Sequence, residues 1–123
     1  MKEIKFKAHI KEFNEILPIL VIDFINKEIQ VEYEGKIYEY DIDNKDIAIM
    51  QYTGQKDQNG IEIYEGDILE GEYYFSGVGY FDSGEGLYRI KNKVVYTGTS
   101  FTCQNFKVYD IQHSVSVIGN IYE

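Results

Sequence analysis

Apolar residues recur at every second position over much of this chain, and this period of two constrains the fold more than any other feature. In "EIKFKAHI", near the N-terminus, Ile4, Phe6, Ala8 and Ile10 are separated by charged or polar residues. Successive side chains of a β-strand point to opposite faces, so the pattern predicts an opening strand with one buried face.

The same alternation continues along the sequence. In "EIQVEYEGKIYEYDI" it is interrupted by Glu34-Gly35, which predicts a β-hairpin. Further strand patterns are "DIAIMQYT", "IEIYEGDILEGEYYF", "SGVGYFDSGEGLYRIKNKVVY" and "HSVSVIGNIYE". In "FNEILPILVIDFINK", Pro18 and the β-branched residues favour a buried strand from about Ile19, with a helix as the minority alternative. Twelve Tyr, seven Phe and a single Pro also favour strands, because large rings pack well on a pleated surface.

We therefore predict a mainly β protein with little helix. A length of 123 residues fits one domain, 1–123. Short strands separated by glycine turns indicate a barrel or a sandwich. The one plausible subdivision lies near Tyr52, where glycine becomes more frequent: an N-terminal β-rich region, 1–52, and a barrel-like region, 53–123.

Charge and cysteine content restrict the partners and the compartment. A net charge of −9 opposes binding to nucleic acid and to anionic membranes. Cys103 is the one cysteine, so no intramolecular disulfide can form, and a reducing cytoplasm fits best. The N-terminal alternation does not resemble a signal peptide, and the longest apolar run, "ILPILVI", is too short to span a membrane.

The segment "QYTGQKDQNGIEIYEGDIL", residues 51–69, contains the one loop that invites a calcium interpretation. With Gly60 in the sixth position of an EF-hand loop, Gln55 takes the first ligand position and Gly66 the position of the bidentate Glu. "DIDNKD" fails as well, because Lys45 replaces an oxygen ligand. Asn59-Gly60 is instead predicted to form a two-residue hairpin turn with positive φ at both residues.

No catalytic, cofactor-binding or metal site is predicted. The spacing of His9, Cys103 and His113 indicates neither a shared metal nor a Cys–His pair, and neither a phosphate loop nor a nucleophile elbow is found. We therefore expect that the protein is not an enzyme and has no cofactor.

The tyrosine-rich segment "EYYFSGVGYF" is the predicted interaction site. Tyr73 and Tyr74 are adjacent and must face opposite sides of a strand, so one of them should be exposed, and exposed tyrosine is favoured at protein interfaces. The predicted protein-contact residues are Tyr73, Tyr74, Phe75 and Tyr80.

Three blocks of the sequence, "QYTGQKDQNGIEIYEGDIL", "GVGYFDSGEGLYRI" and the terminal "VIGNIYE", resemble the YopX family of small phage and prophage proteins. The opening "MKEIKFKAHI" is also similar, although His9 stands where the family usually has an aromatic residue. The resemblance implies a predominantly β fold with an SH3-like barrel in the C-terminal half, a phage origin and a bacterial cytoplasmic location. It implies no activity.

Three classes of function remain. The first is a non-catalytic phage or prophage accessory protein that binds an unknown host or phage protein. The second is a nucleic-acid-related role, either as an acidic DNA mimic or as a barrel-type DNA-binding module, with the mimic favoured by the charge. The third is an enzyme with an unrecognised site. We also expect a homo-oligomer with "EYYFSGVGY" as the main contributor, since exposed aromatic rings and short strand edges both favour self-association.

Overall fold

A computed structural model describes residues 4–75 and 86–123 of the chain. In these ranges the protein consists of eleven β-strands and one short helix, so the predicted mainly β class with little helix is confirmed. The chain divides into two compact units, Met1–Tyr52 and Thr53–Glu123.

The first unit is an antiparallel sheet in which neighbouring strands are, with one exception, also consecutive in the chain. Its strands are β1 (Phe6–Ile10), β2 (Glu15–Asp23), β3 (Glu28–Tyr33), β4 (Lys36–Asp41) and the first part of β5 (Ile47–Lys56). The order is β4-β3-β2-β1-β5, and β1 pairs with β2 on one side and β5 on the other. The predicted opening strand is therefore confirmed. The segment around Pro18 is a strand and not a helix, but it begins at Glu15 and none of its residues is fully buried, so the prediction of a buried strand from about Ile19 is wrong.

The predicted hairpin between β3 and β4 is also confirmed. Tyr33 pairs with Lys36, which leaves Glu34 and Gly35 as a two-residue turn. Their φ values are 51° and 80°. Positive φ at both positions gives a turn whose twist matches that of the strands, and glycine takes this conformation without steric cost.

Alternate residues of these strands are apolar, and they form one buried face of the sheet. Ala8 and Ile10 of β1 and Ile29 and Val31 of β3 form the fully buried centre. Half-buried residues surround them: Phe13, Leu17, Ile19, Ile22, Tyr38, Tyr40, Ile42, Ile47 and Ile49. The period of two in the sequence thus corresponds directly to the buried face.

The second unit begins with the end of β5, which pairs with β6 (Glu62–Tyr64). A five-stranded antiparallel sheet follows, in the order β10-β9-β8-β7-β11. Its strands are β7 (Asp67–Phe75), β8 (Gly86–Tyr96), β9 (Phe101–Cys103), β10 (Phe106–Lys107) and β11 (Val115–Asn120). Helix α1 (Val108–Ile111) and the 3-10 turn Gln112–Ser114 connect β10 to β11.

The core of the second unit lies on one face of this sheet. It consists of Ile63, Leu69, Ile90, Val94, Cys103, Val108, Ile111 and Val115, all at most 1% exposed. Gly71 of β7 lies against the chain that enters β11, because a Cβ atom at this position would be 2.1 Å from the carbonyl oxygen of Ser114. A side chain at residue 71 would therefore collide with the backbone.

The turn between β5 and β6 is longer than predicted. The N–H of Asp57 donates to the carbonyl oxygen of Ile61 at 2.8 Å, and the N–H of Gly60 donates to the carbonyl oxygen of Asp57 at 3.0 Å, so the loop contains three residues, 58–60. Gly60 has a φ of 81°, whereas Asn59 does not adopt positive φ. The prediction of a two-residue turn is wrong because the Asp57 side chain accepts hydrogen bonds from the N–H groups of Asn59 and Ile61 and stabilises a wider loop.

The SH3-like barrel that the family resemblance implied is not confirmed. Among the described residues the strands form two antiparallel sheets, and neither closes into a barrel. The sequence predicts "EIYEGDIL" as one long strand with a bend or bulge at Gly66-Asp67, but the turn at Glu65-Gly66 divides it into β6 and β7, which belong to different sheets. Gly66, with a φ of 89°, permits this change of direction.

Candidate functional site

The hairpin ribbon of β7 and β8 contains three of the four predicted contact residues. Tyr73 and Phe75 lie on the same face of β7 as the buried Leu69, since alternate residues of a strand share a face, although Phe75 is still 37% exposed. There the rings of Tyr73 and Tyr88 each lie 5.3 Å from the ring of Phe106, in edge-to-face geometry. The fourth residue, Tyr80, lies outside the described residues.

Tyr74 is the exposed member of the adjacent pair. It is 60% exposed and lies directly opposite Leu87, which is also 60% exposed. The same face of the ribbon continues with the pairs Glu72–Arg89 and Glu70–Lys91, whose nitrogen and oxygen atoms are 3.8 Å and 3.6 Å apart. We call these six residues the outer ribbon surface.

The outer ribbon surface has a regular charge distribution. Its β7 residues are two acids followed by Tyr74, and its β8 residues are Leu87 followed by two bases. Acids therefore lie in one row and bases in the neighbouring row. The four charged side chains are between 52% and 89% exposed, so their charges are accessible to another molecule.

A second exposed apolar site lies in the first unit, at the turn between β2 and β3. Phe24 is 76% exposed and Ile25 is 91% exposed. We call these two residues the tip. Sequence reasoning treated this segment only as part of a buried strand and missed the tip. The signal was present in "DFINK", because an Asp side chain often accepts a hydrogen bond from the backbone two residues further on and so stabilises a turn.

Asp23 fixes the backbone of the tip. Its Oδ1 atom accepts hydrogen bonds from the N–H groups of Ile25 at 2.9 Å and Asn26 at 3.0 Å. Its Oδ2 atom accepts a bond from the Asn26 side-chain amide at 2.8 Å. The hydrogen bonds from Asn26 and Ile25 favour the carboxylate and lower the pKa of Asp23. The tip is thus held by an ionised side chain at neutral pH.

Three acidic side chains lie at the base of the tip, where β2, β3 and β4 are paired. Asp23 of β2 pairs with Glu28 of β3, and Glu28 pairs with Asp41 of β4. Directly opposite residues share a face of the sheet, so the three carboxylates form a row across three strands. No ion pair to a lysine or arginine is found for these three residues within the described ranges. The base of the tip therefore presents negative charge.

The segment 51–69, which contains the calcium-like loop, has a structural role. Asp57 is buried and binds the two N–H groups of its own turn as well as the N–H of Val117 in β11, at 2.8 Å. Burial raises the pKa of Asp57, but the hydrogen bonds from Val117, Ile61 and Asn59 outweigh it and the net effect is a lowered pKa. The carboxylate uses both oxygens to hold its own turn and to join that turn to β11.

Neither a metal-binding cluster nor an accessible thiol is found among the described residues. No group of three or more His, Cys, Asp or Glu side chains within them could hold a metal ion. The Cys103 thiol is buried and donates to the carbonyl oxygen of Asn92 at 3.3 Å. Burial raises its pKa to about 11, which keeps it protonated and unreactive at neutral pH. No helix in this part of the chain is long and apolar enough to cross a membrane.

The fold and its exposed surfaces define an antiparallel β protein of two compact units. The chain belongs to the YopX family: the family model described as YopX protein matches residues 5–123, as the sequence blocks predicted. Among solved structures it is similar to the crystal structure of protein EF1440 from Enterococcus faecalis. That similarity has a TM-score of 0.61 at 25% identity and covers 100% of this chain and 96% of the other. No curated protein matches.

Proposed function

We propose that this protein is a non-catalytic accessory protein of a phage or prophage, acting in the bacterial cytoplasm by binding another protein. The observation that supports the proposal is the tip, where Phe24 and Ile25 are exposed on a backbone fixed by Asp23. Exposed apolar side chains that form a cluster mark interaction sites in soluble proteins.

The geometry of the tip suits a binding anchor. Large apolar side chains that enter a pocket supply most of the energy of many interfaces. The bound conformation is ordered in advance by the Asp23 hydrogen bonds, so less conformational entropy is lost on association. A convex pair of side chains requires a concave apolar pocket on the partner.

The negative charge near the tip indicates which residues should surround the partner's pocket. The row of Asp23, Glu28 and Asp41 lies at the base of the tip, so basic residues around the pocket would complement it. The net charge of −9 repels nucleic acid and anionic lipid, which favours a protein as the ligand. The proposed partner is therefore a host or phage protein with an apolar pocket surrounded by Lys or Arg.

Site-specific photo-cross-linking in the bacterial host tests this proposal. A photoreactive phenylalanine analogue replaces Ile25 in one variant and Lys45, an exposed residue of the same unit, in a matched control. We expect a discrete adduct with one protein at residue 25, its absence at residue 45, and its loss when Phe24→Asp is added.

The purified partner then allows a direct measurement. Phe24→Asp should weaken binding at least about tenfold, as expected for a buried aromatic anchor. Its melting temperature should equal that of the wild type, because Phe24 is exposed. Unchanged affinity, or equal cross-linking at residues 25 and 45, would refute the proposal. Release of a captured DNA-binding protein by added duplex DNA would favour the DNA-mimic alternative.

A further inference from the structure

We infer that the outer ribbon surface binds the same surface of a second copy of this chain, about a two-fold axis parallel to the strands. The surface consists of Glu70, Glu72 and Tyr74 on β7 and Leu87, Arg89 and Lys91 on β8. It is separate from the tip, and the inference does not depend on the identity of any other partner.

The two-fold operation follows from the positions of the six residues. Two ribbons packed face to face with the axis between them, parallel to the strands, bring β7 of one copy against β8 of the other. Each residue keeps its position along the strand. Because Glu72 is level with Arg89, Glu72 of one copy then faces Arg89 of the second copy.

The remaining pairs match in the same way. Glu70 faces Lys91 of the second copy, and Tyr74 faces Leu87 of the second copy. Every contact is formed twice, as symmetry requires. Each charge then has an opposite charge both within its own chain, at 3.6 or 3.8 Å, and across the interface. Such a network offsets part of the cost of removing the charges from water.

The alternative face-to-face arrangement is electrostatically unfavourable. An axis perpendicular to the strands brings β7 against β7, so the row of Glu70 and Glu72 meets its own copy. Like charges that face each other across an interface repel and oppose association. The charge pattern therefore selects one of the two orientations, and the apolar pair Tyr74 and Leu87 adds contact area without opposing it.

The expected dimer is weak. Stable interfaces bury roughly 800 Å² and about 20–30 residues on each partner, and six side chains on two strands are fewer than that. The net charge of −9 on each copy also opposes association, although screening over about 8 Å at physiological salt leaves the nearest charges dominant. Dimerisation should thus depend on protein concentration.

Two charge variants test the arrangement by sedimentation velocity. The basic variant carries Glu70→Lys and Glu72→Lys, and the acidic variant carries Arg89→Glu and Lys91→Glu. Each variant alone has one sign of charge on the surface and should sediment as a monomer where the wild type dimerises. An equimolar mixture should form a one-to-one dimer, since the acidic β8 row then faces the basic β7 row.

A control variant separates this effect from net charge. Glu32→Lys with Asp43→Lys changes the net charge as the basic variant does but lies in the first unit, so it should dimerise at least as strongly as the wild type. The recovery of association in the mixture also shows that both surface variants are folded. A wild type that stays monomeric over about a hundredfold range of concentration, single variants that self-associate like the wild type, or a mixture that stays monomeric would each overturn the inference.

Discussion

The Oδ1 atom of Asp67 accepts a hydrogen bond from the side-chain amide of Asn120 at 3.0 Å, and both side chains are buried. The bond joins the first residue of β7 to the last residue of β11, which are 53 positions apart in the sequence. The Oδ2 atom of Asp67 accepts the N–H of Tyr64, and the Oδ1 atom of Asn120 accepts the N–H of Tyr122. The pair therefore links the turn before β7 to the C-terminal residues.

The Asp67–Asn120 pair should show energetic coupling. Asp67→Ala and Asn120→Ala should each lower the free energy of unfolding by about 1–3 kcal/mol, because each leaves a buried polar partner unsatisfied. The double variant should lose less than the sum, with a coupling energy of about 0.5–3 kcal/mol in urea denaturation.

The exposed pair Gln30 and Glu39, whose side chains are 3.1 Å apart, is the control for this cycle. Its coupling energy should be at most about 0.5 kcal/mol, since water replaces the lost contact. Strictly additive losses at Asp67 and Asn120 would contradict the assigned bond.

Asp57→Asn should destabilise the protein in a pH-dependent manner. At neutral pH the loss should be about 1–3 kcal/mol, because the amide nitrogen cannot accept the N–H groups that the carboxylate binds. The pKa of Asp57 is lowered in the fold, so its stabilising effect is present above the ordinary value of 3.8 and is lost as the pH falls through the lower folded value.

Urea denaturation as a function of pH checks this assignment. The difference between wild type and Asp57→Asn should shrink as the pH is lowered beneath 3.8. Asp43→Asn, which changes an exposed carboxylate, should leave the free energy of unfolding unchanged. A difference that stays constant from neutral to acidic pH would show that ionised Asp57 does not hold the turn.

Gly71→Ala should be among the most destabilising single-methyl additions in the second unit. The new Cβ atom would lie 2.1 Å from the carbonyl oxygen of Ser114 and 2.9 Å from the Cα atom of Val115, and backbone atoms cannot move aside as a side chain does. We expect a loss of about 1–3 kcal/mol or more in thermal or urea denaturation. Gly119→Ala in β11, whose Cβ would meet only the Glu123 side chain at 3.7 Å, should change stability far less. Equal effects at both positions would be inconsistent with the close approach at residue 71.

Cys103 should resist alkylation in the folded protein. Its thiol is buried and has a pKa of about 11, so both access and thiolate content are low at mildly alkaline pH. Mass spectrometry after iodoacetamide treatment should show an unmodified chain under native conditions and complete modification in urea. Rapid native-state labelling would place Cys103 at the surface.

The sequence by itself determined the β class, the opening strand and the β3–β4 hairpin. Alternation at Ala8 and Ile10 and the Glu34-Gly35 turn are local signals, since both depend on residues within a few positions of one another. The family blocks likewise identified the YopX family, which the match over residues 5–123 confirmed.

Only the tertiary structure decided which surfaces are exposed. The sequence required Tyr73 and Tyr74 to face opposite sides, but Phe106, far along the chain, packs against Tyr73 and leaves Tyr74 outside. The width of the turn at Gly60 depended on Asp57, which also binds Val117 in a strand far along the chain. A residue pattern specifies that a strand has two faces, whereas contacts between distant segments determine which face is buried.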